Sequence, residues 1–95
     1  MPVAFHIPGP LRQFTADRSL IQLEISPGAS VADALQFLFA GNPGLRDRIL
    51  TESGQLRQHV SIFVGDQNIR YSGGLLTPVP SNAEISIIPA ISGGC

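Results

Sequence analysis

The residues Ser92-Gly93-Gly94-Cys95 combine an acyl group with the reach to present it. A glycine pair has no Cβ atoms and the most backbone entropy to lose, so it weakens order beyond a strand. What it offers instead is access. An extended segment without side chains can thread a narrow channel and carry an acyl group into another protein's active site. Gly94 supplies that group, Ser92 and Gly93 would occupy the channel, and Cys95 holds the Gly94 carbonyl in a peptide bond. Little else in the chain has catalytic character. His6 and His59 are the only imidazoles, and no Asp, Glu or Cys stands at a metal-ligand spacing from either. His6 falls on the strand face opposite Val3 and Phe5, the position of a surface histidine. Cys95 has no base at fixed spacing to make it a nucleophile. Ser72-Gly73-Gly74 lacks the strand–turn–helix context of a phosphate loop or nucleophile elbow, and its glycines suit a turn with positive φ. The chain is therefore not expected to be an enzyme, nor to hold a metal or cofactor of its own.

Composition narrows the partners. A chain of 95 residues makes one domain and buries about two-thirds of its unfolded surface. With 43% hydrophobic and 14% charged residues it fits a compact fold and not a disordered segment. A formal net charge of −1 leaves no bulk attraction for nucleic acid or an anionic membrane, so neither is an expected partner. The six cations are all arginine, so no lysine of this chain could accept an acyl group. One cysteine cannot form an internal disulfide. Apolar runs fall well short of the ~20 residues that span a bilayer, and the start lacks a basic and apolar leader, so the expected address is the cytoplasm.

The elements that position the glycines follow from periodicity. Val3, Phe5 and Ile7 alternate along a first strand that Pro8-Gly9-Pro10 stops. Leu20 to Ile25 is a second strand, joined to the first by a polar hairpin loop over 12–19. Ser30 and Asp33 have the spacing of a near-capping box. Behind them Val31, Ala34, Leu35 and Leu38 form the buried stripe of a helix that Asn42-Pro43-Gly44 ends. Leu45, Ile49 and Leu50 suit a short second helix. Val60 to Val64 is the clearest strand, Asn68 to Tyr71 its short partner, Ser72 to Asn82 a loop, and Glu84 to Pro89 the last strand. Alternation turns Val60, Ile62, Val64, Ile85 and Ile87 inward, and Phe63, Ser86 and Ile88 outward. The expected class is α+β, a mixed sheet of about five strands with one main helix on one face and a short second helix. Residues 1–90 would form the domain and 91–95 a flexible tail, projecting from a last strand that pairs with the first.

The run Val60 to Asp66, Ile69-Arg70-Tyr71-Ser72-Gly73-Gly74-Leu75, Thr77, and Ile85 to Gly94 resembles the MoaD/ThiS family of ubiquitin-like sulfur carriers. It is most similar to the branch serving thiocarboxylate-dependent cysteine synthesis. The resemblance implies a β-grasp fold. It also implies that a ubiquitin-activating-type adenylating and sulfurtransferase enzyme binds a surface containing Phe63, Ile88 and Ile91. That enzyme, with its own ATP, activates the Gly94 carboxylate for conversion to a thiocarboxylate. A PLP-dependent cysteine synthase, or another acceptor enzyme, takes the sulfur. A zinc-dependent JAMM-type metallopeptidase then releases the product. ATP, PLP and zinc belong to those partners.

Two departures bear on this resemblance. Family members commonly place Asp-Gly-Asp before the last strand where this chain has Asn82-Ala83-Glu84, and Asn82 is expected to take the positive φ of the glycine. Such carriers usually end at the second glycine, whereas Cys95 follows here. Cys95 is then either a cap removed by the peptidase or the carried cysteine itself. Two alternatives stand beside this one: a MoaD-like or ThiS-like carrier for molybdopterin, thiamin or tRNA thiolation, and a ubiquitin-like protein modifier.

Overall fold

Alternating apolar residues build the sheet first. The structure, a computed structural model, describes residues 1–89. Strand β1 (Pro2–His6) pairs antiparallel with β2 (Leu20–Glu24), from Pro2 opposite Glu24 to His6 opposite Leu20. Helix α1 (Val31–Gly41) and the single turn α2 (Arg46–Ile49) follow. Then come β3 (Val60–Val64), the two-residue β4 (Gln67–Asn68) and β5 (Glu84–Pro89). The sheet order is β2-β1-β5-β3-β4. The last strand thus occupies the centre, parallel to β1 and antiparallel to β3. Burial on the helix side explains the position, because Ile85 and Ile87 of β5 are almost fully buried and need cover from both neighbours.

Helix α1 covers that side. Val31, Ala34, Leu35 and Leu38 are buried as the periodicity requires, and Phe39 joins them. Its start is a complete capping box. Ser30 Oγ accepts from the Asp33 N–H at 3.2 Å, and the Asp33 carboxylate accepts from the Ser30 N–H at 3.0 Å. Asn42 caps the other end and donates its side-chain amide to the Leu38 carbonyl. A 3₁₀ turn over Pro43–Leu45 leads into α2, where Leu45, Ile49 and Leu50 point into the core.

Three connections differ from the sequence-based expectation. The stretch between β1 and β2 is no plain polar loop: Gly9–Phe14 forms a 3₁₀ helix that buries Leu11. The buried Thr15 hydroxyl lies within hydrogen-bond distance of the carbonyls of Arg12 and Arg18 and holds the return. Strand β4 is shorter than expected, because Asn68 Oδ1 accepts from the Arg70 N–H and starts a 3₁₀ turn over Ile69–Tyr71. Within Ser72 to Asn82 lies another 3₁₀ turn, Gly74–Leu76. That crossover is tied to the start of α1 through Val31 N–H to Thr77 C=O and Val79 N–H to Ala29 C=O.

Candidate functional site

The sequence-derived site residues divide at Pro89. Ile91, Ser92, Gly93, Gly94 and Cys95 lie outside the described residues, whereas Phe63 and Ile88 stand on the sheet face away from α1. There the pairing registers line up Leu20, His6, Ser86, Phe63 and Asn68 as one row across all five strands. Ile88, opposite Ser61, is 49% exposed. Phe63 faces the same way but is only half exposed, flanked by Ser86 and Asn68, so it serves as part of the sheet's own packing as well as its surface. A shallow cleft lined by His6, Pro8, Arg12, Ser86 and Ile88 runs beside it toward the end of β5.

His6 is half exposed, as its strand face requires, and sequence spacing did not reveal its partner. Its Nε2 lies 2.7 Å from Glu84 Oε1. The two are 78 positions apart and meet only because β1 and β5 are parallel neighbours. Glu24 ends β2 while Asp66 and Glu52 lie in separate connections, and among the described residues no three His, Cys, Asp or Glu side chains converge as a metal site.

The stretch Arg70 to Thr77 is structural. Arg70 Nη2 lies 3.0, 3.0 and 2.8 Å from the carbonyls of Arg57, Gln58 and Val60, pinning the entry to β3. Gly73 (φ 119°) and Gly74 (φ 63°) take the positive φ that the turn demands. Thr77 Oγ1 lies 2.7 Å from the Gly74 carbonyl and 3.1 Å from Ser72 Oγ, closing the loop. Asn82 takes φ 61°, the positive φ expected of it in the turn before β5.

These features are those of a known family. The ThiS family profile matches residues 5–94, almost the whole chain. The chain belongs to the ThiS/MoaD family. Among ThiS/MoaD relatives, the sulfur carrier protein CysO of Mycobacterium tuberculosis is 31% identical over 96 residues, covering 99% of this chain and 100% of that protein. A chain of the Amycolatopsis orientalis BexX/CysO complex superposes with a TM-score of 0.84 at 29% identity, covering 97% of this chain and 99% of that one. SAMP1 of Haloferax volcanii superposes with a TM-score of 0.85 over 99% of this chain and 100% of that one. At 20% identity it shows the shared β-grasp fold. The family resemblance and the ubiquitin-like fold both stand. No helix among the described residues is long and apolar enough to cross a membrane.

Proposed function

We propose that this chain is a sulfur carrier whose working group is the Gly94 carboxylate. The observation that carries this reading is a coincidence of boundaries. The match to the ThiS family runs through residue 94 and stops before Cys95, just past the glycine pair. Strand β5 supports it mechanically, because a central strand bonded on both sides is a firm base for a segment that enters a partner. Residues 91–95 are that segment and 1–90 the domain that presents it. Ser92 and Gly93 occupy the partner's channel.

The chemistry needs Gly94 as a free acid, so the peptide bond to Cys95 is cleaved first, by a JAMM-type metallopeptidase. The carboxylate then attacks the α-phosphorus of ATP on a ubiquitin-activating-type enzyme, and pyrophosphate leaves. Sulfide attacks the acyl carbon and AMP departs, leaving a thiocarboxylate; a persulfide on the enzyme would instead give an acyl disulfide, which a second thiol of that enzyme cleaves to the thiocarboxylate and an enzyme disulfide. A carboxylate is a poor electrophile until its oxygen becomes a good leaving group, which is what adenylation achieves. The surface around Ile88, Phe63 and Ile91 docks the activating enzyme. Similarity to CysO supports cysteine synthesis as the destination, with a PLP-dependent synthase as acceptor and the Gly94–Cys95 amide as the form held before release. The solved BexX/CysO complex supports a carrier that works by docking.

The test is intact-mass spectrometry on the full chain. Treatment with a JAMM-type peptidase removes cysteine; ATP, the adenylating enzyme of the same genome and sulfide then exchange one oxygen for sulfur. A terminus that persists unchanged overturns the reading. A second reading, a protein modifier, is favoured by 24% identity over 74 residues to small archaeal modifier protein 1 of Haloferax volcanii. It predicts Gly94 amides on lysines of other proteins in place of the thiocarboxylate.

A further inference from the structure

The chain is almost neutral overall, but its charges are sorted along the strand axis. At one end β1 and β5 stop and β3 begins, with Pro89 opposite Val60. All six arginines lie at that end. Arg12 donates to the Ile7 carbonyl, and Arg18 to Thr15 in the turn after β1. Arg46 and Arg48 belong to α2, which reaches the same end because α1 has run the length of the sheet. There Arg48 sits 5.1 Å over the Phe14 ring. Arg57 donates to the Asp47 carbonyl, and Arg70 to the carbonyls before β3. Only three carboxylates, Asp17, Asp47 and Glu52, share this end, leaving three positive charges in excess among its side chains.

The opposite end carries the other four carboxylates and no arginine. Glu24 closes β2 opposite Pro2, Asp33 caps the start of α1, Asp66 is in the β3–β4 turn, and Glu84 opens β5. Gly65 N–H bonds the Glu84 carbonyl, which places the last two side by side. Residues 90–95 add no charged side chain. The Met1 ammonium, 3.6 Å from Glu24, offsets one of these carboxylates, and the molecule is still a dipole along the strands, positive where β5 delivers the tail.

We infer that the arginine-bearing end is a docking surface for an acidic protein face, located around the channel mouth of the enzyme that adenylates Gly94. This rests on the carrier reading. A dipole of this sense turns an approaching carrier tail-first toward a negative mouth and speeds encounter without requiring a high net charge. It is separate from the outer sheet face around Ile88 and Phe63, which contributes contact area but no orientation at a distance. Asp47, Arg48, Arg57 and His59 line a shallow cleft at this end, its two arginines outnumbering the one carboxylate, and Arg48 and His59 are exposed.

The experiment compares two variants of equal net charge. Arg18→Ser/Arg48→Ser removes two positive charges at the tail end. Gln22→Glu/Gln67→Glu adds two negative charges on exposed strand positions toward the other end. Association of each full chain with the adenylating enzyme of the same genome is followed by stopped flow from low to high salt, with thermal melting as a control. Wild-type association slows with salt. At low salt the arginine variant slows about tenfold while the glutamate variant stays within about twofold. Equal slowing by both variants, or a salt-independent wild-type rate with adenylation intact, overturns the inference and leaves the carrier reading standing. Absence of adenylation at saturating wild-type chain, after peptidase treatment has removed Cys95, overturns both. Should Arg18→Ser/Arg48→Ser melt early, Arg46→Gln/Arg48→Gln makes the same comparison.

Discussion

Individual residues separate contact from support. Ile88 projects from β5 with about half its surface free, so Ile88→Asp should lower adenylation at sub-saturating carrier about tenfold, or ~1.4 kcal/mol of docking energy, with no change in melting. Phe63→Asp should lower both adenylation and melting temperature. Its ring is half-buried between Ser86 and Asn68, and a carboxylate there forfeits ~1–2 kcal/mol of apolar burial. A Phe63→Asp chain that melts like wild type would show that the ring contributes only to docking. Arg70 is the converse case, exposed but bonded to three carbonyls at the entry to β3. Arg70→Ala should cost about 1–2 kcal/mol in urea unfolding, at the low end for charged hydrogen bonds because solvent competes. Sequence motifs flagged Arg70 as characteristic of the family, but only the folded chain shows that its characteristic partner is backbone.

Secondary-structure elements depend on their ends. The reciprocal Ser30–Asp33 bonds make Ser30→Ala worth about 1 kcal/mol, a fall of about 4–8 °C in melting temperature for a chain of this size. Asn82 stands in the turn before β5 at a positive φ that Asn and Gly tolerate better than other residues. Asn82→Ala should therefore cost about 1 kcal/mol and Asn82→Gly nearly nothing, measured by the same melts. The helix stripe, its cap and the β3 and β5 alternation were all legible, because period and capping chemistry are local. The 3₁₀ helix over Gly9–Phe14 was not. Its polar surface residues conceal one buried Leu11 and a buried Thr15, and no periodic signal arises from two positions.

At the scale of the molecule, one apolar layer between sheet and α1 accounts for the domain, drawing on all the long strands and both helices. Among the described residues the buried apolar ones run from Val3 to Ile87, so deletion of 91–95 should leave the melting temperature within about 2 °C while abolishing thiocarboxylate formation. A large loss of stability would instead make those residues part of the folding unit. The same layer explains why a near-neutral chain carries a dipole. Strands and α1 each carry the chain from one end of the sheet to the other, so charged residues in the connections accumulate at two poles.

Read alone, the sequence determined the long strands, the main helix, the inward faces and the family, since each depends on residues close in the chain. Tertiary structure decided three things. It put β5 between β1 and β3, brought His6 to within 2.7 Å of Glu84, and gathered every arginine at the end where the tail departs. Those outcomes depend on which strands become neighbours. Burial of β5 on both sides determines that, and no local period in the chain records it.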